Sequence, residues 1–182
     1  MNLKKTFIKG LYIIEPNFFN DSRGYFFESY NKALFNKKIK NINFIQDNES
    51  KSLKGVLRGF HFQKPPYEQN KLVRCVCGKV LDIALDLRKN SPTYGKHKSI
   101  ILSEKNKLQF FIPLGFAHAF IVLSDSAIFS YKVDKKYAPS YDSGVIWNDK
   151  TLSIDWRLNK SEIIVSEKDK NLIPFSELNS PF

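Results

Sequence analysis

The chain has little of the residues that build disulfide and metal frameworks: two cysteines and three histidines among 182 residues. Cys75 and Cys77 stand two apart, which puts them side by side on one strand face, where a mutual disulfide is awkward. Both are read as reduced core thiols, and a cytoplasmic location follows. No second Cys/His pair is spaced to complete a metal site with them. Long apolar runs are also missing. No segment approaches the roughly 18 residues that a membrane helix requires, so no membrane association is expected. Residues 1–10 carry lysines but no apolar stretch, so no signal peptide is expected. Repeats, low-complexity tracts and linkers are absent, and the length fits one domain over residues 1–182.

What is present is apolar and aromatic. Hydrophobic residues make up 42% and aromatic residues 14% of the chain, with 16 phenylalanines, enough for a real core and too much for disorder. The formal net charge of +11 favours an anionic partner: nucleic acid, acidic lipid or a phosphorylated small molecule. The lysines are scattered rather than gathered in a stripe, and no nucleic-acid-binding motif accompanies them, so a nucleic-acid partner is not expected. Arginine is scarce, at Arg23, Arg58, Arg74, Arg88 and Arg157. In a lysine-rich chain, retained arginines suggest bidentate contacts such as those to phosphate.

Short strands separated by turn residues recur along the chain. Residues 7–14 read as an N-terminal strand, 16–24 as a loop, 25–30 as an aromatic strand and 42–47 as a strand. One or two helical turns are expected over 31–40, with Asn31 as N-cap. Residues 80–87 alternate, with Leu81, Ile83, Leu85 and Leu87 on one face. Further strands are expected at 98–102, 108–112, 117–123, 127–133 and 144–147. After Trp156 the chain turns polar and ends in an irregular tail. Many short strands with almost no helix argue an all-β sandwich, for which a double-sheet jelly roll is the choice.

Residues 56–77 concentrate the chemistry. They read as two strands of a hairpin, joined by a loop over 64–70 whose Pro65 and Pro66 cannot continue a ladder. Arg58, His61, Lys71 and Arg74 lie on it: three fixed cations and one group able to act as a base. Such a set can abstract a proton and hold an anion; the structural alternative is a packed strand histidine and a solvated lysine. Arg58 and His61 differ by an odd number of residues, so strict alternation would place them on opposite faces. A bulge at Gly59 would re-aim one of them.

The runs RGFHFQ (58–63), QNKLVRC (69–75), DIALDLR (82–88) and NSPTYG (90–95) carry a resemblance, as do DSRGYFFESYN (21–31), FIQDNESKS (44–52), IPLGFAHAFIVLS (112–124), YK (131–132), WND (147–149) and SEKD (166–169). Together and in this order they resemble the dTDP-4-dehydrorhamnose 3,5-epimerases, cupin-type jelly rolls that act on 4-keto-6-deoxy nucleotide sugars. The resemblance implies an isomerase without cofactor or metal, usually a homodimer in which each subunit completes its neighbour's site. It implies His61 as base with Asp169 as its carboxylate partner, Tyr131 as the acid on the opposite face and Lys71 as the enolate-stabilising cation. It further implies contacts to the nucleotide sugar from Arg23, Glu28, Gln46, Asp47, Asn48, Arg58, His118, Asp142 and Lys168, with Tyr137 stacking on the base.

That chemistry is coherent. A proton on C3 or C5, beside a C4 ketone, is acidic only if the enolate is stabilised, and inversion needs a base on one face and an acid on the other. Three positions depart from the family pattern: Asp142 where glutamate is more usual, and Phe60 and Ala119 in place of leucine and glycine. They leave the base and sugar open between a dTDP-linked hexose and a GDP-linked 4-keto heptose of a capsule pathway, with inversion at C3, C5 or both. A metal-dependent cupin would need His-x-His on one strand, but the residue two after His61 is Gln63, leaving only His97 and His118. A carbohydrate-binding jelly roll without activity would not need His61, Lys71, Tyr131 and Asp169 together.

Overall fold

Turn residues interrupt every apolar run, so the strands stay short and a helix period never develops. The computed structural model describes all 182 residues. In chain order the elements are β1 (Asn2–Lys5), β2 (Tyr12–Glu15), β3 (Phe18–Asp21), β4 (Gly24–Phe27), α1 (Lys32–Lys38), β5 (Gln46–Leu53), β6 (Val56–Gln63), β7 (Lys71–Cys77) and β8 (Lys79–Asp86). They continue as β9 (His97–Ser103), β10 (Gln109–Ile112), β11 (Phe116–Val122), β12 (Ser126–Val133), β13 (Asp142–Gly144), β14 (Ile164–Val165) and α2 (Glu167–Lys170). One sheet has the order β1-β2-β10-β7-β12-β5 and the second β13-β6-β11-β8-β9, with β14 added in parallel to β6. This is the double-sheet jelly roll. Asn31 caps α1, its side chain accepting from the Leu34 N–H at 3.0 Å.

Between the sheets lies one core cluster, including Val73, Val80, Phe110, Phe120 and Phe129. Phe120 and Phe129 stack across the gap with ring centroids 4.2 Å apart. Each large apolar side chain buried there contributes roughly 1.5–3 kcal/mol. A second cluster covers the outer face of the second sheet. Leu81, Ile83, Leu85 and Leu87 point into it, as the alternation predicts, and Trp147 and Trp156 pack over them. The second sheet is therefore buried on both faces, and β8 presents Val80, Asp82, Ala84 and Asp86 to the other side.

Several local expectations are corrected. Residues 56–77 are not a hairpin: β6 and β7 belong to opposite sheets. The proline-bearing connection carries the chain from one layer to the other, so His61 and Lys71 face each other across the sandwich. The strand expected over 7–14 begins only at Tyr12, because Gly10 takes φ +97 and turns the chain. Ile8 and Leu11 drop into the inter-sheet core instead. Residues 16–24 are not all loop, since β3 pairs with β4 in a hairpin. The strand expected over 42–47 begins only at Gln46, as Ile42 packs with Phe35 under α1 and the true strand is polar. Cys77 is exposed and only Cys75 is in the core. The polar tail is irregular but not solvated: Phe175, Leu178 and Phe182 pack individually on the outer cluster, a pattern without a period.

Candidate active site

A cavity of about 540 Å³ opens between the sheets, lined among others by Arg58, His61, Lys71, His118, Tyr131, Lys168 and Asp169. All four residues expected to be catalytic meet there, from β6, β7, β12 and α2. The bulge at Gly59 is what lets Arg58 join His61. His118 pairs with His61 and Phe120 with Arg58, so two steps on β11 oppose three on β6. Gly59 sits at φ +121, and a Cβ there would lie 2.5 Å from the His118 carbonyl oxygen and 2.6 Å from the Ala119 Cβ. Only glycine fits this close approach of two strands.

His61 Nε2 lies 2.7 Å from Asp169 Oδ1. An ionised carboxylate only accepts, so Nε2 carries the hydrogen and Nδ1 is left with a free lone pair. Asp169 is buried, and its other oxygen accepts from the Gly59 N–H at 3.2 Å. Burial acts to raise the Asp169 carboxyl, but the hydrogen bonds and charge of His61, with Gly59 and Ser166, outweigh it and hold the carboxyl below its ordinary value. The one-turn helix α2 is positioned by Ser166, whose hydroxyl accepts from the Asp169 N–H at 3.1 Å. The result is an imidazole oriented by a buried carboxylate, an arrangement able to act as a base.

Tyr131 stands on β12 beside Asn48 of β5 and Val73 of β7. Burial raises its phenol above the ordinary value, with Arg58 partly offsetting. At neutral pH it is therefore a proton donor. Lys71 keeps part of its surface open to the cavity it lines, but desolvation pulls its ammonium down to about 8, against the charges of Asp142 and Asp82. Arg58 donates from Nε to Ser52 Oγ at 3.2 Å, which leaves the rest of its guanidinium for an anion.

The other expected contacts divide into three groups. Gln46 and Asn48 share the inward face of β5 and are hydrogen-bonded to each other at 2.7 Å. Tyr137, Asp142 and Lys168 form one cluster: the Tyr137 hydroxyl donates to Asp142 at 3.0 Å, and Lys168 pairs with the same oxygen. Of all the expected contacts only Arg58, His118 and Lys168 line the cavity, and Arg23, Glu28 and Asp47 are held elsewhere by other partners. Alternation points Asp47 to the opposite face of β5 from Asn48, where Lys132 holds it at 2.8 Å. Arg23 projects from the β3–β4 turn, bound to Asp21, and Glu28 accepts from Asn31. Ser50, Ser52, Ser166 and Asp82 escaped the sequence reading. Asp82 alone had a signal, as a charged residue inside the apolar run of β8.

No group of three or more His, Cys, Asp or Glu side chains is arranged to hold a metal. No helix is long and apolar enough to cross a membrane.

Comparison with known proteins gives the family. The chain is 49% identical over 174 residues to the dTDP-4-dehydrorhamnose 3,5-epimerase of Methanothermobacter thermautotrophicus, covering 95% of this chain and 94% of that one. The crystal structure of the dTDP-4-dehydrorhamnose 3,5-epimerase from Elizabethkingia anophelis superposes with TM-score 0.93 at 51% identity, covering 98% of each chain. A dTDP-6-deoxy-D-glucose-3,5-epimerase from Legionella pneumophila, solved in complex with dTDP-4-keto-L-rhamnose, superposes with TM-score 0.94 at 41% identity, covering 98% of this chain and 94% of that one. The family model for dTDP-4-dehydrorhamnose 3,5-epimerase matches residues 5–177, and the chain belongs to that family.

Proposed function

We propose that this protein inverts C3 and C5 of a dTDP-linked 4-keto-6-deoxy sugar through an enolate, as a dTDP-4-dehydrorhamnose 3,5-epimerase. The observation that carries the reading is the His61–Asp169 pair sharing one cavity with Tyr131 and Lys71. His61 Nδ1 takes the proton from the carbon beside the ketone, and the C–H electron pair moves into an enolate with its charge on O4. Lys71 stabilises that oxygen, and Tyr131 returns a proton to the opposite face of the carbon. Solvent then reprotonates the phenolate and accepts the proton from His61. Arg58 and Lys168 bind the diphosphate. His118 lines the cavity, and we assign Gln46, Asn48, Tyr137 and Asp142 to the sugar and nucleoside beyond it. Asp47, occupied by Lys132, is left out of the set.

Relatives bearing the dTDP name support a dTDP-linked hexose over a GDP-linked heptose. The test is a panel of dTDP- and GDP-linked 4-keto sugars in deuterated water, with and without exhaustive chelation. Deuterium is expected at C3 and C5 of the dTDP-linked 4-keto-6-deoxyhexose, at a rate that chelation leaves unchanged. Activity lost on chelation and restored by one divalent ion would overturn the metal-free mechanism, and exchange confined to GDP-linked sugars would overturn the substrate.

We further assign the protein to a cytoplasmic homodimer. The two cysteines are unpaired, which fits a reducing compartment. The β3–β4 hairpin leaves Phe18, Phe19, Tyr25 and Phe26 exposed by 46%, 68%, 55% and 71%, an apolar cost that a second copy would remove. The same hairpin would carry Arg23 and Glu28 toward the neighbour's cavity. Sedimentation is expected to give a dimer, and Phe19→Ser with Phe26→Ser to weaken both the dimer and substrate binding. A stable, fully active monomer would sink the assignment.

A further inference from the structure

Gln63 stands two residues after His61 on β6, the position at which a metal-dependent cupin would carry its second histidine. It does not line the cavity and is 5% exposed. Its amide is instead directed at backbone. Nε2 donates to the Tyr67 carbonyl at 2.7 Å and to the Lys136 carbonyl at 3.2 Å, and Oε1 accepts from the Ala138 N–H at 2.6 Å. One side chain thus holds the chain on both sides of Tyr137. A buried amide is costly unless its hydrogen bonds are made, and here both hydrogens and the oxygen are placed. Tyr137 itself is 54% exposed, so packing does little to fix its ring.

We propose that Gln63 is a positioning residue: it grips the backbone at Lys136 and Ala138 so that the Tyr137 ring is set in place for the nucleoside before the nucleotide sugar arrives. The inference rests on the assignment of Tyr137 to the nucleoside in the reading above. The surrounding contacts act in the same direction. Asp142 is the cross-strand partner of Gln63, and its carboxylate accepts from the Tyr137 hydroxyl at 3.0 Å. Tyr137 is therefore held at its hydroxyl by β13 and at its backbone by β6. Gln69 Nε2 donates to the Lys135 carbonyl at 2.7 Å, and the Lys64 N–H to the Tyr141 carbonyl at 2.8 Å. These bonds join the connection over 64–70 to the segment over 134–141, with Gln63 holding that segment on either side of Tyr137. A segment ordered beforehand does not have to be ordered by the ligand, and affinity gains accordingly. Because β6 also carries His61, one strand fixes both the imidazole and the stacking ring.

Gln63→Met keeps the length of the side chain and removes all three hydrogen bonds. The Kd for dTDP by calorimetry is expected to rise about tenfold, the scale of one or two buried hydrogen bonds. In the dTDP-sugar exchange assay KM should rise with it while kcat changes little, because stacking on the nucleoside is the same in the ground state and the transition state. Tyr137→Ala should weaken dTDP binding by roughly ten- to a hundredfold, the size of one base–aromatic stack. The deciding measurement is the double variant. Where Gln63 acts through Tyr137, Gln63→Met costs nothing more once the ring is gone. If Gln63→Met folds poorly by circular dichroism, Gln63→Glu keeps the acceptor for Ala138, loses both donations and serves the same cycle. Wild-type dTDP affinity in a folded variant overturns the inference. So does a loss that adds in full to that of Tyr137→Ala, which would make Gln63 a purely structural tie. A wild-type protein that binds no dTDP would instead overturn the nucleotide assignment beneath it.

Discussion

His61→Asn is expected to abolish deuterium exchange at both C3 and C5. Asparagine fills a similar volume and can still donate to Asp169, but it has no lone pair basic enough to take a carbon-bound proton. A positioned general base is worth roughly 10²–10⁴ in rate, so the loss should be at least about a hundredfold where no other base reaches the carbon. His118 is the nearest imidazole by strand pairing, and its Nε2 is committed to Asp82. Substrate binding should change little, because Arg58 and Lys168 remain in the cavity and His61 does not hold the diphosphate. Mass spectrometry of recovered sugar reads the exchange, and calorimetry with dTDP reads the binding. Exchange near the wild-type rate would make His61 a packed strand histidine and move the base elsewhere.

Tyr131→Phe is expected to separate exchange from inversion. Burial holds the phenol above its ordinary value, so it is protonated throughout the neutral range and can donate to the enolate carbon. Phenylalanine keeps the ring and its packing against Phe129, with ring centroids 6.4 Å apart in the native chain. The fold should therefore survive. His61 still removes the proton, yet nothing on the opposite face returns one. Return from His61 itself gives deuterium with retained configuration, at least at C5. The measurement is deuterium content beside stereochemistry by NMR. Fully inverted product at the normal rate would name water or another residue as the acid and leave Tyr131 as a core tyrosine.

Much of the site was legible residue by residue. His61, Lys71, Tyr131 and Asp169 were named from their runs, and each is found in the cavity. Residue identity decides which groups can be a base, an acid or a cation, and the order of short runs carries the family. The bulge at Gly59 was legible too, because the odd spacing of Arg58 and His61 conflicts with a strict period of two unless a glycine breaks it. Asp169 carried no local signal of its own. It lies in a polar segment, and only the parallel pairing of β14 with β6 brings its one-turn helix under His61.

The sequence by itself determined the all-β class, because turn residues cut every apolar run before a helix period can form. It also determined the chemical types available to the reaction. Only the tertiary structure decided which strands face which. Residues 56–77 look like a hairpin locally, since a seven-residue connection with two prolines is compatible with either one sheet or two. Burial of Val73 and Phe129 between the layers, and of Leu57 and Phe60 behind the second one, selects two. That selection sets His61 across from Lys71, while the pairing of β8 with β11 places Asp82 beside His118. Such pairings are contacts between residues far apart in the chain, and no local pattern encodes them. They arise because both faces of the second sheet must be buried at once, which leaves one arrangement of the layers that also closes the cavity.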